Sequence, residues 1–231
     1  MWRFGAAELM QTQHGQGSRP PSKARVLIAG LIGNVMEWYD FALYGYFATV
    51  IGQQFFPSTN PTASLIGAFG AFAAGFLVRP LGGIVYGRIG DLVGRRRALS
   101  LSVIAMAIPT VAMAFLPTHA QIGIAAPIAV VLLRLLQGIS AGGEYTTSII
   151  FLAEAAPDRQ RGFYSIWGLW GSVLGMLMGS AFGDLLTRSL TQPQLDAWGW
   201  RVAFALGSLV ALTGVMIRQG VGEDDASAKT K

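Results

Sequence analysis

An all-α membrane protein of six transmembrane helices is the fold this sequence predicts, and three observations predict it. Of 231 residues, 52% are hydrophobic and 13% charged, too little charge to cover a water-soluble domain of that length. The apolar residues fall into runs of about 18–25, the length that crosses a hydrocarbon layer about 30 Å thick at 1.5 Å per residue. Basic residues gather in alternate connections between those runs, the pattern of the positive-inside rule. The alternating ten-residue segments of a transmembrane barrel are absent.

Residues 1–25 are polar and contain Gly15, Gly17, Pro20 and Pro21, with Arg19, Lys23 and Arg25 toward their end. No compact apolar segment with a small-residue cleavage site follows Met1, so this stretch reads as a cytoplasmic tail and not as a signal peptide. Spans are expected near 26–51, 62–87, 98–116, 122–148, 163–187 and 199–218. They form one six-helix domain over 26–220, followed by a short polar tail over 221–231. The second loop carries Arg88, Arg95, Arg96 and Arg97, and the fourth carries Arg159 and Arg161. Loops one and three carry no Lys or Arg, and the fifth balances Asp184 and Asp196 against Arg188. Both termini are therefore expected in the cytoplasm, with the lipid bilayer as solvent. Trp198 and Trp200 suit the outer interface, and Pro80, Pro109 and Pro127 are expected to kink their helices.

Several function classes drop out. The chain has no cysteine, which removes disulfides, thiolate metal sites and thiol nucleophiles together. His14 and His119 lie in loops and cannot build a metal cluster alone, so neither metal nor cofactor is expected. The run from Gly87 to Gly94 is glycine-rich but lacks the Gly-Lys-Ser/Thr ending and the preceding strand of a nucleotide-binding loop. Ser140 sits in no nucleophile-elbow pattern, so no enzyme is expected. The net charge of +5 comes from residues beside the spans and does not indicate nucleic acid.

Charges inside spans are the informative residues, because each costs several kcal/mol at the bilayer centre unless it meets a partner or water. In the first span, Asn34, Glu37, Asp40 and Tyr44 share one helical face about 120° wide. The fourth span repeats the device with Arg134, Gln137, Glu144 and Ser148, and the second adds Arg79 just before Pro80. Such a set can be structural, for example an Asp40–Arg134 or Asp40–Arg79 pair that only fixes packing. Hydrophobic replacements often pack as well as buried ion pairs, which argues against that reading for all of these charges at once. A buried carboxylate whose arginine partner can move away is able to bind and release a proton. In the fifth span Gly171, Gly175, Gly179 and Gly183 recur every fourth residue, a groove for close helix approach. The second span has a looser version in Gly67, Ala71 and Gly75. Packing within the chain and contact with a further helix both remain open.

The stretch Gly87-Arg88-Ile89-Gly90-Asp91-Leu92-Val93-Gly94-Arg95-Arg96-Arg97 resembles the signature between spans two and three of the major facilitator superfamily. Arg134-Leu135-Leu136-Gln137-Gly138 with Gly142 is similar to that superfamily's fourth-span motif. More narrowly, residues Gly33 to Phe41, Arg79-Pro80-Leu81-Gly82-Gly83, Ala141-Gly142-Gly143-Glu144-Tyr145 and Trp198-Gly199-Trp200-Arg201 resemble the metabolite:H⁺ symporter family. That group includes transporters of shikimate, α-ketoglutarate, citrate and proline/betaine.

Over residues 24–222 the resemblance implies the N-terminal half of a major facilitator, built as a 3+3 inverted repeat in the bacterial inner membrane. It implies proton-coupled symport of a small organic acid or zwitterionic metabolite. Glu37, Asp40, Arg79, Arg134, Gln137 and Glu144 would line the substrate and proton pathway. The loop signature, carried by Gly87, Asp91, Gly94, Arg95 and Arg96, would form the cytoplasmic gate. Leu92 stands where the family commonly has a basic residue, which thins that gate's charge network. Relatives have twelve spans and this sequence supplies six, so the expectation is a chain incomplete by itself. Its polar stripes and glycine groove would await a second six-helix half, missing or separate. The alternative is a membrane-embedded fragment or interaction subunit that transports nothing.

Overall fold

The computed structural model describes residues 23–209, 212, 213 and 216. Residues 1–22 of the expected first tail, the expected last tail and most of span six beyond residue 209 lie outside the described residues. Every regular element among the described residues is helical.

The first span consists of α1 (Lys23–Tyr46) and α2 (Ala48–Phe55). Hydrogen bonding runs through their junction, because Phe47 N–H donates to Leu43 and Phe47 C=O accepts from Ile51, both at 2.9 Å. The second span starts at α3 (Pro61–Leu77), where the Asn60 side chain caps the Thr62 amide at 2.9 Å and Pro61 takes a position that needs no donor. Its continuation, α4 (Arg79–Val93), is set off at Val78 because Pro80 has no N–H to offer the preceding turn. Gly94, at φ +97°, ends α4 and opens α5 (Arg95–Phe115), a backbone conformation that favours glycine. After the short α6 (His119–Ile122) come α7 (Ala125–Ala155) and α8 (Arg161–Ser189). A further short turn, α9 (Gln192–Gln194), leads through a π-helical turn at Leu195–Gly199 into helical residues 200–209.

Several expected boundaries move for local reasons. The fourth span runs to Ala155 instead of 148. It stops where Ala156 turns extended ahead of Pro157, as the residue before proline prefers. Pro127 lies in the first turn of α7, where its missing donor costs nothing, so it starts the helix rather than kinking it. Pro109 does lie inside α5. Trp198 is half-exposed, but Trp200 is fully buried against Phe55 and Phe204 with ring centroids 5.6 and 6.2 Å away. The expectation that both would sit at the interface therefore fails for Trp200.

The distribution of polarity is that of a membrane protein. Asn34, Glu37, Asp40, Arg134, Gln137 and Glu144 are buried, while Leu77, Leu92, Phe115 and Ile124 point outward. Among the described residues, five helical stretches are long and apolar enough to span a bilayer: Val26–Tyr46, Pro61–Val93, Arg97–Phe115, Ala125–Ala155 and Arg161–Ser189.

Packing follows a repeated scheme in which α1 lies along α8, and α3 with α4 lies along α7. Glycine makes both contacts close. Gly171, Gly175 and Gly179 rest on the carbonyls of Leu31, Val35 and Tyr39, and Gly183 meets the Tyr46 ring. On the other side Gly75 rests on the Arg134 carbonyl, Gly82 on that of Ile139, Gly138 on that of Gly75 and Gly142 on that of Arg79. Exchanging span one for four and span two for five turns one contact into the other, as a 3+3 repeat requires. The glycine groove of the fifth span is thus filled by the chain's own first span, and the expectation that it waits for an outside helix is corrected.

Candidate functional site

The face of α1 that carries Asn34, Glu37, Asp40 and Tyr44 is turned inward because α7 presents its own polar stripe there. Gly75 and Gly138 bring the second and fourth spans together at the level of Arg134. Arg134 Nη1 donates to Asp40 Oδ2 at 2.5 Å, and the two side chains are 2% and 1% exposed. Of the two pairings the sequence left open for Asp40, this is the one formed. Arg79 pairs with Glu37 instead, through Nη2 and Oε1. Both carboxylates of the first span therefore have a cation inside this bundle. The expectation that these charges would face lipid unless another domain covered them is corrected accordingly.

Aromatic rings hold the guanidinium of Arg134. Its central carbon lies 4.0 Å from the Tyr44 ring centroid and 5.9 Å from that of Phe204, and the Tyr44 hydroxyl is fixed by donating to the Ala68 carbonyl at 2.9 Å. One turn along α7, Gln137 Nε2 donates to Thr110 Oγ1 at 2.9 Å. Thr110 can pass its single hydrogen either to the Met106 carbonyl at 3.0 Å or to Asp40 Oδ1 at 3.4 Å. Asn34 Nδ2 donates to Ser148 Oγ at 2.8 Å and ties the same two faces together higher in the stripe.

Glu144 is also buried and accepts from the Ser102 hydroxyl. It shares a narrow crevice with Glu37, lined further by Gly33, Met36, Ser102 and Ser140. The structure therefore gathers the six expected pathway residues into two groups on the facing spans, Asp40 with Arg134 and Gln137, and Glu37 with Arg79 and Glu144. Sequence reading missed the contribution of span three, Thr110 and Ser102. Their only signal was a hydroxyl pair two turns apart on an uncharged span. That signal is weak, because such hydroxyls commonly bond their own helix backbone.

The network is incompletely satisfied. Arg134 Nε and Nη2, Gln137 Oε1, Glu37 Oε2 and Arg79 Nε are buried with no hydrogen-bond partner. Most buried polar groups are paired, and a charged group left short of partners is costly. Arg134 meets Asp40 through one contact, although its planar fork can hold a carboxylate through two.

The loop signature forms its own cluster. Asp91 and Arg95 pair at 2.8 Å across the Gly94 turn, in an exposed position. Gly90 packs against the Arg95 side chain, whereas Gly87 has open space around it. Leu92 is exposed. Arg96 lies in α5, with its side chain outside the described residues.

Comparison with known proteins adds the following. The family model described as "Sugar (and other) transporter" matches residues 26–222. The glycine betaine/proline/ectoine/pipecolic acid transporter of Dickeya dadantii is 40% identical over 202 residues, covering 87% of this chain and 40% of the relative. The proline/betaine transporter of Escherichia coli K12 is 37% identical over the same shares. The shikimate transporter of that organism is 36% identical over 217 residues, covering 93% of this chain and 50% of the relative. The chain thus spans half or less of the length of these relatives. Among solved structures, the xylose transporter of E. coli in a partially occluded inward-open conformation superposes with a TM-score of 0.76. It covers 85% of this chain and 47% of that one. At 21% identity the likeness is one of fold.

Proposed function

Since the chain belongs to the sugar (and other) transporter family of the major facilitator superfamily, we propose that it serves proton-coupled symport of a small organic acid or zwitterionic metabolite. In this reading it works with a second six-helix half. The family is one of transporters, and the chain is a multi-pass membrane protein. The observation that carries the finer reading is the buried Asp40–Arg134 pair with its spare guanidinium donors.

The coupling follows from charge balance. With Asp40 ionised the pair is closed. A proton on Asp40 removes the counter-charge and leaves Arg134 buried and unpaired, which costs about 3–5 kcal/mol. A substrate carboxylate restores the balance by taking Arg134 through two parallel N–H···O bonds, using donors that are idle in the closed pair. Proton and substrate therefore load together or not at all. Unloading reverses the order: the carboxylate leaves, Arg134 returns to Asp40, and the proton departs. Thr110 and Gln137 follow Asp40 through the change, since Thr110 can turn its hydrogen toward or away from the carboxylate.

In the same reading the six-helix domain covers 26–220 in the bacterial inner membrane, with both tails cytoplasmic. Asp91, Arg95 and Gly94, with Gly87 and Arg96, form the gate on that side. The alternation of basic loops supports this orientation. The test is uptake by proteoliposomes in which this chain is joined to the second half of the E. coli proline/betaine transporter. An inside-alkaline gradient should drive accumulation of labelled glycine betaine, proline or shikimate, and a protonophore should abolish it. Uptake indifferent to the gradient would contradict proton coupling. Absence of any uptake at normal membrane levels would favour a non-transporting membrane component.

A further inference from the structure

We propose that a cavity at the span ends opposite the Asp91–Arg95 cluster binds the headgroup of a phospholipid that carries a primary ammonium, as phosphatidylethanolamine does. The cavity measures about 880 Å³ and has Gln54, Pro117, Gln121, Asp196, Ala197 and Arg201 on its walls, a volume in the range of small-ligand sites. It lies between the end of α2, the connection from α5 to α6 and the π-helical turn that opens span six. None of the six pathway residues lines it, so the site stands apart from the transport reading above.

Two opposite charges share this cavity without meeting each other. Arg201 Nη1 donates to the Ala114 carbonyl at 3.1 Å and to the Leu116 carbonyl at 2.8 Å, closing the end of α5 with a cation. The guanidinium carbon lies 4.4 Å from the ring centroid of the fully buried Trp200, which gives it a rigid seat. Among the described residues, Arg201 Nε and Nη2 make no hydrogen bond and Arg201 joins no ion pair. Asp196 stands five residues earlier, and the π-turn, whose hydrogen bonds span five residues, brings both side chains to one cavity. Gln192 Nε2 donates to Asp196 Oδ1 at 2.9 Å and Gln54 Nε2 to the Asp196 carbonyl at 3.1 Å. Asp196 Oδ2 has no partner among the described residues. Nε and Nη2 are one edge of the guanidinium fork, which takes two oxygens of a phosphate through parallel N–H···O bonds. An ammonium on the same headgroup donates to Asp196 Oδ2, so both charges are met by one ligand.

The surroundings of the cavity point to lipid as the source of that headgroup. Span six runs along α5, with Gly207 beside Thr110 and Arg201 at the Ala114 and Leu116 carbonyls. Ile108, Val111 and Phe115 on α5, and Val202, Leu206 and Leu209 on span six, are exposed. Their spacing of three and four residues puts each set on one helical face. Phe115 is at once the last of its row and part of the cavity wall, so a headgroup seated on Arg201 has its acyl chains over apolar side chains. Arginines near span ends reach the headgroup layer, and the half-exposed Trp198 suits that level. Phosphatidylglycerol has no ammonium and brings an unbalanced negative charge beside Asp196. Phosphatidylcholine has the positive charge but no N–H to donate.

The test is native mass spectrometry of the purified 231-residue chain in detergent with an equimolar mixture of phosphatidylethanolamine, phosphatidylcholine and phosphatidylglycerol of identical acyl chains. Phosphatidylethanolamine should be retained at least about fivefold more than either of the others. Asp196→Asn keeps the acceptor for Gln192 but loses the charge, and it should bring phosphatidylethanolamine down to the level of phosphatidylcholine. Ala197→Trp fills the cavity from an exposed position and should lower phosphatidylethanolamine retention about fivefold with thermal unfolding unchanged. Both variants leave Arg201 and its hold on α5 in place. Equal retention of the three lipids, a preference for phosphatidylglycerol, or an undiminished preference in Asp196→Asn would each overturn the proposal. Displacement of the lipid by an equal concentration of free glycerophosphoethanolamine would assign the cavity to a soluble ligand and overturn the lipid source.

Discussion

At the residue scale, two arginines and two carboxylates on facing helices form separate pairs, and the separation is informative. Asp40–Arg134 is almost fully enclosed, whereas Glu37–Arg79 opens toward the surface on the Arg79 side. Breaking the enclosed pair from one side should be expensive. Asp40→Asn leaves a buried guanidinium without a counter-charge and should lower stability by about 3–5 kcal/mol. The double variant Asp40→Asn with Arg134→Gln should recover most of that loss, since no lone charge remains. Thermal unfolding of the three proteins in one detergent measures both effects. A double variant no more stable than the single one would show that the pair's charges are not what matters there. Arg134→Lys is a different probe: it keeps the charge but loses the planar fork. It should impair uptake by at least about tenfold while remaining folded.

At the element scale, glycine decides how the helices meet. A side chain at Gly142 would collide with the Arg79 carbonyl, and one at Gly175 with the Val35 carbonyl, whereas Gly45 and Gly70 have open space. Gly142→Ala and Gly175→Ala should therefore cost about 1–3 kcal/mol through overpacking. Gly45→Ala should be neutral or stabilising by up to about 1 kcal/mol, because alanine is the better helix former. Equal behaviour of all three variants on unfolding would refute the close-packed contacts.

This is also the scale at which the sequence was most and least readable. The existence of the first five spans was legible from run length alone, and so were the inward faces of Glu37, Asp40, Arg134 and Gln137, since charge in lipid has nowhere else to go. The glycine repeat announced a close contact but not its partner. Spacing along one helix carries no information about which neighbour fills the groove, and the partner proved to be the first span. Pairing was likewise out of reach, because Asp40 could serve Arg79 or Arg134 until the crossing of spans one, two and four was known. Trp200 misled for a related reason: an aromatic beside a span end reads as an interface residue, but here the π-helical turn at Leu195–Gly199 precedes it and its ring is buried.

At the scale of the whole molecule, alternate loops carry the basic charge, which sets a topology that the cysteine-free background makes easy to test. Single cysteines at Arg96 and Arg161 should resist a membrane-impermeant maleimide applied to intact cells, while cysteines at Thr118 and Gln192 should react. The reverse pattern would invert the orientation and move the Asp91–Arg95 cluster to the outer side.

The central claim is that Asp40 carries the proton that moves with substrate, and one measurement addresses it directly. In lightly buffered proteoliposomes holding this chain joined to the second half of the E. coli proline/betaine transporter, glycine betaine added outside should alkalinise the medium as protons enter with it. The Asp40→Asn protein, permanently neutral at that position, should give no alkalinisation yet still exchange labelled for unlabelled glycine betaine across the membrane. Proton movement by Asp40→Asn equal to that of the parent would contradict the account and leave the Asp40–Arg134 pair a packing element.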